Sequence, residues 1–128
     1  HFKQFNDLHG HTFGDQVIKL VASTLAKGIE QNAVAARYGG EEFSVILPAT
    51  ELPDAVNLAN DLRMAIAAKR LIQRSTKKDV GKITMSFGVT TYAHPEDPTA
   101  FINRADQALY SAKKAGRNCV KHLQPRGI

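Results

Sequence analysis

Two adjacent glycines, Gly39 and Gly40, stand between two short apolar runs, and no other feature of this 128-residue chain constrains its fold as tightly. Val34 to Tyr38 reads as a strand. Phe43, Val45 and Leu47 alternate with Ser44 and Ile46, so the chain is expected to return as a second strand. Both glycines tolerate positive φ, which predicts a two-residue hairpin turn at Gly39-Gly40. Glu41 and Glu42 follow that turn directly. Neighbouring strand residues point to opposite faces, so one carboxylate is expected to face a cleft while the other braces it from the far side.

The flanking segments supply helices. Val17, Val21 and Leu25 recur every four residues, with Ile18 and Ile29 beside them, and predict a helix from Asp15 to about Ile29. Gly14-Asp15 marks its start, with an acid near the positive end of the helix dipole. A second helix is expected from about Pro53 to Lys69, with Ala55, Ala59, Leu62 and Ile66 on one face and Pro53 in the first turn. Arg70 to Gly81 reads as a polar, basic connection, and Lys82 to Thr90 as one strand with Ile83, Met85, Phe87 and Val89 on one side. A third helix is expected from Asp97-Pro98 to Gly116, burying Phe101, Ala105, Ala108 and Ala112 and stopping at the glycine. Asn118 to His122 completes the pattern as a short strand. This order predicts a single α+β domain over residues 1–128, with helices covering a mixed sheet.

Composition excludes several classes. No apolar run approaches the roughly 20 residues that span a bilayer, and the start, His1 to Asp7, lacks the apolar stretch of a signal peptide. One cysteine, Cys119, leaves no internal disulfide and fits a reducing cytoplasm. The net charge of +5 is unevenly spread: residues 1–64 carry 5 basic and 8 acidic side chains, residues 65–128 carry 12 and 4. No aromatic residue lies within the basic stretch from Lys69 to Lys82, so the stacking platform of a single-strand nucleic-acid binder is missing there, and the stretch reads as a solvated loop. Acid in one half and base in the other suits a metal–polyphosphate site, with carboxylates on metal and cations on phosphate.

The hairpin fits that chemistry. Two glycines let a phosphate or a base approach the backbone, and a carboxylate on a rigid turn can hold Mg²⁺, which demands oxygen ligands in near-octahedral geometry. Gly-Gly-Glu-Glu alone is also compatible with an ordinary hairpin carrying solvated glutamates. The longer string Arg37-Tyr38-Gly39-Gly40-Glu41-Glu42-Phe43 is more specific, and further segments accompany it in order: His1 to Asp7, Gly10-His11 through Gly14-Asp15, Ser86-Phe87-Gly88-Val89, and Ala105-Asp106-Gln107-Ala108-Leu109-Tyr110 through Lys113 and Gly116-Arg117-Asn118. Together these segments resemble the GGDEF domain family, the diguanylate cyclases, in its Gly-Gly-Glu-Glu-Phe form.

The resemblance implies a nucleotidyl-cyclase-like fold with a ferredoxin-like core, and condensation of two GTP molecules into cyclic di-GMP with release of pyrophosphate by a homodimer. It makes Glu41 a Mg²⁺ (or Mn²⁺) ligand and Glu42 its support or the proton acceptor, the choice of base staying open between them. Lys3 matches a phosphate-contacting lysine that stabilises the transition state. Asn6 and Asp15 match the positions that read guanine, whose N1 and N2 groups donate to an oxygen. An acid at the start of a helix is the plain competing account of Asp15, and a turn histidine satisfied by backbone that of His11, which otherwise touches substrate. Gly39 and Gly40 would admit the nucleotide. Lys113 and Arg117 match the pair that holds the terminal phosphates, with Lys114 facing solvent; a basic last turn is the competing account of Lys113.

The resemblance also places a first strand and a metal-binding aspartate ahead of His1, so the 128 residues by themselves are expected to be inactive. The domain is expected to follow a sensory or receiver domain, to lie in the cytoplasm or on the cytoplasmic side of an anchored protein, and to touch neither nucleic acid nor membrane. The family's inhibitory product site uses an Arg-x-x-Asp whose positions here are Glu30 and Ala33, so inhibition through that site is expected to be lost. Two other readings compete with an active cyclase. A non-catalytic GGDEF domain that binds GTP and regulates a neighbour is disfavoured by the intact Glu41-Glu42 pair. An RNA-binding module would need exposed aromatics on the sheet; in the clearest strand, Lys82 to Thr90, only Phe87 is a candidate, and alternation places it with the core set.

Overall fold

The computed structural model describes residues 11–29, 32–39, 42–73 and 78–125. They fall into two compact units, one formed by residues through Pro48 with Leu71–Val80, the other by Ala49–Arg70 and the chain from Gly81 onward.

In the first unit, helix α1 (His11–Gly28) packs against β1 (Val34–Gly39), which pairs with β2 (Glu42–Ile46). Val17, Val21 and Leu25 are the buried stripe of α1, as their spacing predicts. The helix begins four residues before Asp15, however. A glycine inside a helix costs only about 1 kcal/mol, so Gly14 does not stop a segment whose later turns are anchored by packing. His11 is therefore the first helical residue and not part of a turn.

The segment expected to be a basic connection instead contains β3 (Arg70–Gln73) and β4 (Lys78–Lys82), which pair with each other. Charge is a poor guide here because strand pairing joins backbone groups whatever side chains they carry. The predicted strand from Lys82 to Thr90 is correspondingly divided. β4 ends at Lys82, Ile83 to Ser86 lies outside any strand, and β5 (Phe87–Thr90) follows. Alternation of apolar residues reports sidedness, whereas a strand also needs a partner within hydrogen-bonding reach. The strands predicted as one mixed sheet are grouped, among the described residues, as three two-stranded sheets, β1–β2 antiparallel and β5–β6 parallel. The α+β class holds.

The second unit is built around β5 and β6 (Val120–Leu123), joined through α3 (Pro98–Lys114). Parallel neighbours need such a long crossover, and both α3 and α2 (Leu52–Ala67) pack on the pair. Ala55, Ala59, Leu62 and Ile66 are buried on α2 as predicted. On α3, Ala108 and Ala112 are fully buried, while Phe101 and Ala105 stay half-exposed. Phe101 instead meets the ring of Tyr92 edge-on, centroids 5.4 Å apart. Asp97 caps α3 by accepting from the Thr99 N–H at 2.8 Å, with Pro98 in the first turn.

Two contacts hold this unit together. At Gly88 the backbone of β5 lies against that of α3: a β-carbon there would stand 2.5 Å from the Ala105 carbonyl oxygen and would collide with the Leu109 backbone. Arg104 ties the β5–α3 loop. Its guanidinium donates to both Glu96 carboxylate oxygens (2.7 and 2.9 Å), to the Thr91 carbonyl (2.6 Å) and to the Thr90 hydroxyl (2.6 Å). The Ala93 N–H also donates to Glu96, at 2.8 Å. Hydrogen bonds from Arg104 and Ala93 hold the Glu96 carboxyl at about 2, below its ordinary 4.5.

Gly88→Ala is expected to destabilise the protein by about 3 kcal/mol, read as a lower urea midpoint, because the colliding atoms are backbone and cannot rotate away. The depressed Glu96 carboxyl takes up its proton in the unfolded chain first as pH falls. Its contribution is therefore whole above about pH 4.5 and lost between there and pH 2. Glu96→Gln should be less stable than the parent at pH 7, and urea titrations should show that gap closing as pH approaches 2.

Candidate functional site

The candidate residues divide between the two units, and each group takes its geometry from a different backbone device. In the first unit the device is a bulge. β1 and β2 pair Ala35 with Val45 and Arg37 with Phe43, then Gly39 with Glu42. Two residues of β1 thus oppose one of β2, and Tyr38 is the extra residue. Without the bulge, Glu42 would lie across from Tyr38. With it, the half-buried Glu42 lies across from Gly39, a residue that has no side chain.

The turn differs from the sequence expectation. Gly39 is the last residue of β1 and not a turn residue, and β2 begins at Glu42, one residue ahead of Phe43. The bulge supplies the reason: shifting the register by one residue moves the closing pair outward by one position on β1. Gly40 and Glu41 lie outside the described residues, as do Lys3 and Asn6. Asp15 is on α1, a full turn inside the helix, and α1 has no acid in its first turn. The helix-start account of Asp15 therefore lapses, since dipole effects fade beyond the first turn. Asp15, Gly39 and Glu42 thus belong to the same unit, on a helix and hairpin that pack together.

In the second unit the device is a helix end. α3 stops at Lys114, Gly116 takes φ +111°, and the Arg117 N–H returns to the Ala112 carbonyl at 3.0 Å. That six-residue closure is a Schellman motif, and only glycine adopts such a φ without strain. Arg117 (φ 64°) and Asn118 (φ 47°) follow in the left-handed region. Lys113 is half-buried on the last turn, whereas Lys114 is exposed, its ammonium 5.1 Å from the Tyr110 ring centre. Arg117 lies just past the helix and is exposed. The structure brings Lys113 and Arg117 together at one helix terminus, where the partial negative charge favours cations.

Two features of this end are silent in the sequence. Arg63 on α2 donates from Nη1 to the Asn118 side-chain oxygen (3.1 Å), and the Asn118 N–H donates to the Ser86 hydroxyl (3.2 Å). Residues 55 positions apart carry no periodic signal of their contact. An open groove of about 570 Å³ along α3 and β6, lined by Asn103, Asp106, Gln107, Tyr110, Ser111 and Leu123, contains none of the candidate residues. No group of three or more metal-ligating side chains occurs among the described residues.

Comparison with known proteins supplies the context of these two devices. The family model described as diguanylate cyclase, GGDEF domain, matches residues 1–119. The diguanylate cyclase DgcP of Pseudomonas aeruginosa is 47% identical over 92% of this chain, which spans 17% of that relative's length. The GGDEF domain of DgcB from Caulobacter crescentus, solved with c-di-GMP, superposes with a TM-score of 0.92 at 41% identity, covering 95% of this chain and 71% of that one. The active GGEEF domain of a diguanylate cyclase from Vibrio cholerae superposes at 0.83 with 33% identity, covering 94% and 75%. A family match over nearly all its residues, joined to this likeness in sequence and fold, makes the chain a member of the GGDEF domain family.

Proposed function

We propose that this chain is the catalytic domain of a diguanylate cyclase that joins two GTP molecules into cyclic di-GMP, each held by one subunit of a homodimer. The observation that carries the reading is the Gly39–Glu42 pairing, which sets an acid of the signature across from a glycine in the β1–β2 ladder. A solved relative with the same Gly-Gly-Glu-Glu-Phe form is described as active, which favours catalysis over a purely regulatory role.

In this reading, each 3′-hydroxyl attacks the α-phosphate of the opposite nucleotide. A new oxygen–phosphorus bond forms, the bond to pyrophosphate breaks, and the hydroxyl proton passes to Glu42 or Glu41. Two such attacks close the ring and release two pyrophosphates. Glu41 would hold Mg²⁺ or Mn²⁺, and its hard carboxylate oxygens suit those ions. The ion, when bound, polarises the α-phosphate. Asp15 would accept from the guanine edge, Asn6 would add an edge contact through its amide oxygen or nitrogen, and His11 would touch substrate. Lys3, Lys113 and Arg117 would neutralise the phosphates. Lys113 and Arg117 lie at a helix C-terminus, whose dipole repels anions, so these two cations must overcome that field as well as bind.

The 128 residues are proposed to belong to one catalytic domain behind a sensory or receiver domain that brings two copies together. The setting proposed is cytoplasmic, without contact to nucleic acid or membrane by this domain. Among the described residues no helix is long and apolar enough to cross a membrane.

Full-length protein incubated with GTP and Mg²⁺ should yield cyclic di-GMP by mass spectrometry. Glu41→Ala should lower the rate by about 100-fold or more, and chelation of the metal should abolish it. A protein forced to dimerise that still makes no product would overturn the enzyme reading. Glu30 and Ala33 replace the inhibitory Arg and Asp, so product titration should show no tight site; strong binding of cyclic di-GMP that survives Glu41→Ala would contradict this.

A further inference from the structure

We infer that Arg63 is a positioning residue for Arg117, holding the turn that presents its guanidinium to the outer phosphates; this rests on the phosphate-binding reading of Arg117. The turn Gly116-Arg117-Asn118 is unusual in having three successive residues at positive φ, two of them not glycine. Such a conformation is disfavoured for side-chain-bearing residues and persists where surrounding contacts over-determine it. Three contacts do so here. The Arg117 N–H is tied to α3 through Ala112, the Asn118 N–H to Ser86 just ahead of β5, and the Asn118 side chain to Arg63 on α2.

Arg63 suits this work. Its Nε donates to the Asn60 side-chain oxygen at 2.9 Å, one helical turn back, which fixes the plane of the guanidinium. Nη1 then reaches Asn118 twice, at Oδ1 (3.1 Å) and at the carbonyl (3.5 Å). A lysine has no planar fork with which to make both sets of bonds at once. Among the described residues, nothing is bonded to the guanidinium of Arg117, which is exposed. The point from which it reaches out is therefore set by its backbone, which is held through Ala112, Ser86 and Arg63. Arg63 acts through Asn118 and needs no contact with nucleotide.

The test compares 3′-deoxy-GTP with 3′-deoxy-GMP by calorimetric titration of the full-length protein. Neither ligand has the attacking hydroxyl, and they differ only in the two outer phosphates. Arg63→Ala should weaken 3′-deoxy-GTP about 5- to 10-fold and leave 3′-deoxy-GMP unchanged. Arg63→Lys keeps the charge and the aliphatic stem, should weaken 3′-deoxy-GTP similarly, and serves if the alanine variant does not fold. In an Arg117→Ala background the Arg63 substitution should add nothing. Equal losses for both nucleotides, no loss, or the same loss in the Arg117→Ala background would each overturn the inference. Arg117→Ala with undiminished affinity for 3′-deoxy-GTP would instead remove the reading beneath it, and the inference with it.

Discussion

The second unit depends on a place where two backbones touch. β5 lies so close to α3 at Gly88 that no side chain fits between them. The approach lets Ala108 and Ala112 bury completely, which fixes the helix over the β5–β6 pair. Every candidate phosphate-binding group downstream inherits that placement. Lys113 rides on the last turn, Gly116 turns the chain out of the helix, and Arg117 emerges from the Schellman closure. The motif Ser86-Phe87-Gly88-Val89 is thus a packing motif, with Ser86 also accepting the Asn118 N–H.

In the first unit the corresponding constraint is register. One extra residue in β1 decides what faces Glu42, because side-chain direction in a strand has a period of two. A bulge is therefore a switch of chemistry as much as of shape. It sets Gly39, in place of Tyr38, across from the acid.

Charge is arranged against the local field as well as with it. The Arg104–Glu96 fork lies in a loop whose backbone it ties down, and its bidentate geometry lowers the carboxyl strongly. Lys113, Lys114 and Arg117 gather at a helix terminus that already attracts cations. Binding a phosphate requires more, namely a guanidinium aimed outward by a turn that is held from several sides.

The buried stripes of α1 and α2, the cap and stop of α3, and the hairpin around the two glycines were all legible in the sequence, as was the family likeness that names the site residues. These features are local: 3.6-residue periodicity, an Asp97 cap and a Gly116 stop depend on neighbours a few positions away. The start of α1, the pairing of β3 with β4, the division of the Lys82–Thr90 strand and the Tyr38 bulge were not legible, since each is settled by partners elsewhere in the chain. The sequence by itself determined which residue types are available as candidates for metal, guanine and phosphate. Only the tertiary structure decided that Glu42 faces Gly39 and that Arg63 grips Asn118, because strand register and contact across 55 residues are properties of packing and leave no periodic trace in the chain.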